Sequence, residues 1–189
     1  MKDLTKKETL ISGESVIITG IAGLSYAGLE ARRLIKKPFE RVKTSLLNEN
    51  ILKNIIDKRI SFFENLNQHS DLFYRELSKE EDAVFEFTDV SIYDALWEFA
   101  AFYNKGILIK HERFMIPEDL IEFYEYVDEN PFLCEDERFF IIASKTPDML
   151  MDKLDSYGIY SQVIGYVNKS KDRKVVVGNQ ERFLTPVRK

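Results

Sequence analysis

The sequence predicts an α+β fold in which a mixed or antiparallel β-sheet is covered by helices. Short runs of β-branched and aromatic residues alternate with helical patterns through the second half of the chain. The last third has a β-α-β order followed by a hairpin around Gly178 and Asn179. This order, with aromatic residues throughout, indicates a mixed sheet with helices on one face.

Composition excludes several classes of protein. The 189 residues are 44% apolar and 13% aromatic with a net charge of −5, which argues against disorder and against a dedicated nucleic-acid binder. No stretch approaches the roughly 20 apolar residues of a membrane span, and no signal-peptide pattern follows Met1. Cys134 is the single cysteine, and His69 and His111 are the only histidines, so we expect neither a disulfide framework nor a zinc site. We therefore expect a cytoplasmic protein.

The first predicted segment, residues 1–82, combines one strand with helices that pack on the rest of the domain. The strand is Ser15–Thr19, between two glycines, and the helices are expected at Leu24–Ile35, at residues 46–66 and at residues 70–77. The apolar stripe of residues 46–66 needs a partner surface, either in this chain or across a dimer. The charged run at residues 79–82 marks the boundary.

The second predicted segment, residues 83–189, holds the α+β core. Ser91 begins a helix with Asp94 three residues on, which is the spacing of a capping box. Thr146 and Pro147 begin another helix, and Gly158 is expected to end it. Strands are expected at Ala83–Phe87 and at residues 107–109, 138–143, 159–167, 174–177 and 182–184, with a further helix at residues 117–127.

Several of these segments resemble the AIR-synthase-related proteins. Residues 154–167, in which a helix ends at Gly158 and a strand leads into Ile164-Gly165, are similar to a signature near the end of that family. Residues 182–186 resemble its closing segment, and Ile116-Pro117 and Asn130-Pro131 occur in the order of its "IP" and "NP" segments. Residues 13–19 and 22–24 look like the strand and helix before its C-terminal domain. The branch most similar is the hydrogenase maturation factor type.

This resemblance implies the fold of the family's C-terminal domain and a link to ATP. Family members use ATP to activate the oxygen of an amide or carbamoyl group or to transfer phosphate. A separate N-terminal domain forms their dimer core and carries the acidic ligands for magnesium and nucleotide. The resemblance therefore implies that this chain corresponds to the second domain alone, and that ATP and Mg²⁺ would bind only with a partner domain. We expect a homodimer or a complex with such an N-terminal domain, and no cofactor held by this chain itself.

The sequence departs from the family pattern at two places. The family's C-terminal domain often has Asp-x-Thr/Ser, a short glycine-containing turn and then a helix. Here Asp89-Val90-Ser91 runs directly into Ile92 and Tyr93, whose side chains would crowd a phosphate at the backbone amides. The cysteine-bearing tail that accepts the carbamoyl group in hydrogenase maturation factors is also not matched by the final residues, Arg188 and Lys189.

Asp89 and Ser91 are the candidate site residues for phosphate or nucleotide. An acid at a strand end could hold magnesium, and a hydroxyl at a helix N-terminus could contact a phosphate. The alternative is that Ser91 only caps its helix. No catalytic residue and no metal site of this chain's own is assigned.

Other candidates have structural interpretations that we prefer, each with a functional alternative. Gly20, Gly23 and Gly28 match neither a P-loop nor a dinucleotide fingerprint, so close helix packing is favoured. Cys134 is interpreted as an ordinary thiol, and residues 135–137 as a solvated turn rather than a metal loop. His111 is interpreted as a surface or interface residue rather than a base, and Trp97 as a core or dimer residue. The basic stretch indicates a solvated helix end or, alternatively, a site for a phosphate-bearing partner: Arg32, Arg33, Lys36, Lys37, Arg41, Lys43.

Three functions remain open from the sequence. The first is a divergent AIR-synthase-related protein that acts with an ATP-binding partner domain. The second is a non-catalytic interaction module that keeps the fold. The third is an independent enzyme with a new site built on Asp89, His111 or Cys134.

Overall fold

The computed structural model describes residues 1–4, 7–36, 47–77 and 82–186. The strands are β1 Lys2–Asp3, β2 Ser15–Thr19, β3 Ala83–Phe87, β4 Val90–Ser91, β5 Gly106–Lys110, β6 Glu135–Asp136, β7 Phe139–Ser144, β8 Ser161–Asn168, β9 Arg173–Val177 and β10 Gln180–Phe183. The helices are α1 Leu24–Ile35, α2 Glu49–Gln68, α3 Ile92–Phe102, α4 Glu118–Val127 and α5 Pro147–Ser156, with a π-helical turn at Leu72–Glu76 and a 3-10 turn at His111–Arg113. The predicted start of α2 at Leu46, the boundary residues 79–81, and Lys37, Arg41 and Lys43 of the basic stretch lie outside the described residues.

Eight strands form one sheet in the order β1-β3-β7-β2-β8-β5-β9-β10, and β4 pairs with β6 in a separate ribbon. Every pairing in the main sheet is antiparallel except that of β5 with β9, which is parallel. The predicted fold class, a mixed sheet in an α+β protein covered by helices, is therefore confirmed.

Helices cover both faces of this sheet, whereas the sequence led us to expect them on one face. All residues of β3 and β7 are buried, which is the mark of strands packed on two sides. Phe85 and Phe87 face the core that α3 covers, whereas Val84, which precedes Phe85, faces the opposite cluster with residues of α2 and α5. The prediction was wrong because it did not weigh the continuous apolar runs of these two strands.

The apolar stripe of α2 packs within this chain. Leu52 and Ile55 lie in a third core cluster with α1 and α4, and Leu66 packs under the sheet beside α5. Phe62 contacts both clusters at their margins. The partner surface that the sequence left open is therefore intramolecular, since α1, α4 and the sheet cover these positions.

The helix ends agree with the sequence at most positions. Ser91 caps α3 as the capping-box spacing predicts, and Gly158, at φ +66°, follows the end of α5. Thr146, in contrast, makes no side-chain capping bond to α5. Thr146 does occupy the predicted N-cap position, and its own backbone N–H donates to the hydroxyl of Ser144 at 3.1 Å.

Strand β2 belongs to the first predicted segment but lies between β7 and β8, which belong to the second. The division of the chain at residue 82 stays a prediction. No helix among the described residues is long and apolar enough to cross a membrane.

Candidate functional site

The two candidate residues lie where β3 leads into α3. Asp89 is exposed and has a left-handed backbone, at φ +52°, and its N–H donates to the carbonyl of Glu137 at 3.4 Å. Ser91 is only 2% exposed. Its hydroxyl accepts the N–H of Asp94 at 3.2 Å and donates to the Asp94 carboxylate at 2.7 Å. The hydroxyl of Ser91 is thus already engaged at the start of α3, whereas the Asp89 carboxylate faces solvent.

A groove of about 410 Å³ lies beside these residues. Its lining residues are Met1, Thr88, Asp89, Val90, Asp94, Trp97, Glu98 and Pro186. Three of them are carboxylates, and no lysine or arginine is among them, so the groove favours cations over a bare phosphate. The outer ring face of Trp97 is taken by the guanidinium of Arg173, whose carbon lies 4.7 Å from the ring centroid.

The glycines before and within α1 serve close packing, as expected from the sequence. Gly23 has φ +74°, and a Cβ added there would lie 2.1 Å from the Tyr124 hydroxyl oxygen. A Cβ at Gly28 would lie 2.4 Å from Cδ of Arg59 on α2. The Tyr124 hydroxyl donates to the carbonyl of Gly23 at 2.7 Å, so the contact is also a hydrogen bond.

The N-terminus of α1 is occupied by a carboxylate from a distant part of the chain. Asp136 accepts the backbone N–H groups of Gly23 at 2.9 Å and of Ser25 at 3.0 Å. Burial raises the pKa of Asp136 to about 7, although the two backbone N–H groups act in the opposite direction. An anion at this position is stabilised by the orphan donors and the dipole of the helix. Asp136 therefore fills the place at which α1 could otherwise hold a phosphate.

This role of Asp136 was missed from the sequence. Residues 135–137 were expected to form a solvated turn, and Glu135 and Glu137 are indeed exposed, but Asp136 is 5% exposed. The prediction was wrong for Asp136 because β6 pairs with β4, which turns this one carboxylate inward. An acid between two exposed acids carries no local signal of burial.

Arg59 joins α2 to the same region. Its guanidinium forms an ion pair with the carboxylate of Glu137, which also accepts the Ser25 hydroxyl at 3.3 Å. The Nε atom of Arg59 is buried and has no hydrogen-bond partner among the described residues. The Arg59–Glu137 ion pair therefore links α2 to the loop after β6, next to the start of α1.

Cys134 has the properties of an ordinary buried thiol. Burial raises its pKa to about 11, and the charges of Glu129 and Asp136 act in the same direction, whereas a hydrogen bond with Tyr124 opposes them. The thiolate that a nucleophile requires is thus disfavoured. This confirms the interpretation of Cys134 as an unactivated thiol.

His111 lies in an aromatic cluster. Its Nδ1 is 3.0 Å from the Tyr93 hydroxyl, and its ring centroid lies 4.6 Å from that of Phe132. Burial raises the pKa of Tyr93 to about 12, so this phenol is not a source of protons near neutral pH. No hydrogen bond or ion pair between described residues joins Asp89, His111 and Cys134. Within the described ranges no group of three His, Cys, Asp or Glu side chains could hold a metal ion.

The fold defines the class of protein to which the chain is similar: it is the fold of the AIR-synthase-related proteins. No family model matches the sequence, and no curated protein matches it either. Among solved structures, E. coli HypE, a hydrogenase maturation protein, matches with a TM-score of 0.64 at 17% identity, over 97% of this chain and 52% of that one.

Two further structures support the same fold. HypE in complex with ATP matches with a TM-score of 0.65 at 12% identity, over 98% of this chain and 54% of that chain. Thiamine monophosphate kinase from Aquifex aeolicus matches at 0.57 and 20% identity, over 95% and 54%. The chain thus spans about half the length of these structures, which is consistent with a match to their C-terminal domain. At these identities the comparison establishes the fold.

Proposed function

We propose that this chain is a divergent AIR-synthase-related protein of the hydrogenase-maturation type, which works with a separate ATP-binding domain or polypeptide. The observation that carries this proposal is the structural match to E. coli HypE over 97% of this chain and 52% of that protein. We call the partner the complementary polypeptide: a polypeptide equivalent to the half of HypE that this chain does not span.

The site supports a dependence on that partner. Three carboxylates line the groove at Asp89, so a phosphate would enter only with a cation such as Mg²⁺. The start of α3 has Ile92 and Tyr93 where a glycine turn would admit a phosphate, and Ser91 and Asp94 satisfy the cap between them. In this proposal Asp89 contributes a ligand to a magnesium ion whose nucleotide is held mainly by the complementary polypeptide.

The proposed reaction is the ATP-dependent activation of an amide or carbamoyl-type group. It is the chemistry that the family resemblance implies, and HypE itself has been crystallised in complex with ATP. A cytoplasmic location and a dimeric or larger assembly belong to the same proposal.

Titration calorimetry with ATP and Mg²⁺ tests the proposal. The probe is the half of E. coli HypE that this chain does not span. We expect heat of nucleotide binding from the complex that exceeds the sum of its separate parts. The absence of any heat of nucleotide binding, both from the complex and from the chain alone, would contradict the proposal.

Two matched variants locate the site within that experiment. Asp89→Asn removes a carboxylate but keeps a residue that tolerates the left-handed backbone. Asp128→Asn is the control, because Asp128 is also exposed and left-handed, at φ +55°, and lies outside the groove. We expect about tenfold weaker Mg²⁺-ATP binding for Asp89→Asn and no change for Asp128→Asn.

A non-catalytic interaction module is the second candidate. The observation that favours it is the Ser91–Asp94 pair, which puts a carboxylate at the start of α3, where a phosphate would otherwise bind. The intramolecular packing of α2 counts against its use as the docking element. Binding of the complementary polypeptide without any binding of Mg²⁺-ATP would favour this candidate.

A further inference from the structure

The described residues leave one part of the main sheet uncovered on one face. We define the open sheet face by the side chains of Leu108, Tyr166, Lys174, Val176 and Phe183, on β5, β8, β9 and β10. Phe183 is 66% and Tyr166 is 39% exposed, and the other three are half-buried. None of the three core clusters found among the described residues includes any of these five.

The strand register places four of these side chains in one row. Tyr166 is opposite Leu108, Leu108 is level with Lys174, and Lys174 is opposite Phe183. Directly paired residues point to the same face of a sheet. With strands about 4.8 Å apart, the row is roughly 14 Å wide.

The residues between them point the other way and are well covered. Ile107, Ile109, Val167 and Val175 lie in the core cluster under α3. Farther along the sheet, the same face as Tyr166 is covered by α2 and α5 over β2, β3 and β7, where Ile17, Val84, Phe140 and Ile142 are buried. The second face of the sheet is thus packed over one half of its width and open over the other.

Charges at the neighbouring edge disfavour pairing with a second copy. β10 is the edge strand, and all four of its residues are exposed. An antiparallel two-fold pairing centred on it would set Glu181 opposite Glu181 or Arg182 opposite Arg182, because opposed side chains must share a face. Like charges directly opposed are destabilising. The edge is therefore protected against self-pairing, while no described residue covers the adjacent face.

We propose that the open sheet face is the docking surface for the complementary polypeptide. This inference rests on the proposed function. The length of the solved structures indicates which partner occupies the open sheet face. In each of them, the same chain contains nearly as many residues outside the matching part as within it. Domains of one chain usually share an interface, and a half-covered sheet with exposed aromatic side chains is the kind of surface that such an interface buries. Tyr166 and Phe183 act as the anchors. Lys174, which lies between Leu108 and Phe183 with its Nζ 5.3 Å from the Phe183 ring centroid, supplies polar contacts together with Glu181.

Two variants test the surface. Phe183→Glu and Tyr166→Glu each introduce a charge on the open sheet face, and Met149→Glu on α5 is the control, because Met149 is exposed and apolar but lies away from this face. Circular dichroism and thermal unfolding check that each variant keeps its fold. Affinity for the complementary polypeptide is measured by calorimetry, and the mass of the chain alone by light scattering.

We expect each of the two face variants to bind the complementary polypeptide at least about tenfold more weakly, and Met149→Glu to bind like the original chain. Equal binding by all variants would overturn the docking surface and leave the proposed function standing. Failure of the original chain to bind would overturn both. Self-association of the original chain that Phe183→Glu abolishes, with binding of the complementary polypeptide unchanged, would assign the face to a second copy and also overturn the inference.

Discussion

The carboxylate of Asp136 accepts a hydrogen bond from the backbone N–H of Gly23, which lies 113 residues earlier in the chain. The same carboxylate accepts the N–H of Ser25, so it caps α1 from outside the helix. Tyr124 completes the arrangement by donating to the carbonyl of Gly23. The start of α1 is thus held by two side chains that are remote in sequence.

Loss of this cap should destabilise the protein. Asp136→Ala leaves two buried backbone donors without an acceptor, and we expect a loss of about 2 kcal/mol or more in the free energy of unfolding. Asp136→Asn keeps one acceptor oxygen and removes the buried charge but turns its NH2 group to the other backbone N–H, so its loss should be smaller than that of Asp136→Ala. Urea unfolding measures both. Equal stability of the alanine variant and the original chain would contradict the capping role.

The raised pKa of Asp136 predicts a pH dependence. Burial raises this pKa to about 7 from an ordinary value of 3.8. Between these values the folded protein holds a proton that the unfolded chain has released, so the contribution of Asp136 to stability is greatest in acid and falls as pH rises toward 7. The difference in stability between the original chain and Asp136→Asn should therefore change across this range. A constant difference from pH 4 to pH 7 would contradict the prediction.

Gly23→Ala should be far more damaging than Gly178→Ala. Both glycines have a positive φ, at +74° and +57°, and the strain of a left-handed alanine costs about 1–2 kcal/mol at either position. A Cβ at Gly23 would also collide with Tyr124, whereas one at Gly178 has nothing within 4 Å. We expect Gly23→Ala to lose more than about 3 kcal/mol in urea unfolding, and similar losses for both variants would show that the contact with Tyr124 yields easily.

The thiol of Cys134 should react slowly in the folded protein. Its pKa of about 11, against an ordinary 9.0, lowers the thiolate fraction about a hundredfold, and burial slows access further. Because Cys134 is the single cysteine, the colour reaction with dithiobisnitrobenzoate reports on it alone. We expect a rate that rises by at least about two orders of magnitude on denaturation in guanidinium chloride. A fast reaction of the native protein would instead indicate an activated cysteine.

Only those parts of the candidate site that depend on residues close together in the chain could be predicted from the sequence. Ser91 and Asp94 are three residues apart, and their spacing was sufficient to predict the cap that the structure contains. Thr146 also lies at a predicted helix start and occupies the N-cap position, yet its side chain makes no capping bond, and its own backbone N–H donates to the Ser144 hydroxyl. The site assignment of Asp89 and Ser91 stays a prediction.

The sequence by itself determined the type and order of most elements, since apolar periodicity, caps and turn residues act between neighbours in the chain. Ser15–Thr19, Leu24–Ile35 and Ala83–Phe87 have the predicted bounds. Only the tertiary structure decided that helices cover both sheet faces, that α2 packs within the chain, and that Asp136 is buried at the start of α1. The physical reason is that burial and hydrogen bonding of such groups depend on strand register and helix packing across many residues, and no short stretch of sequence carries that information.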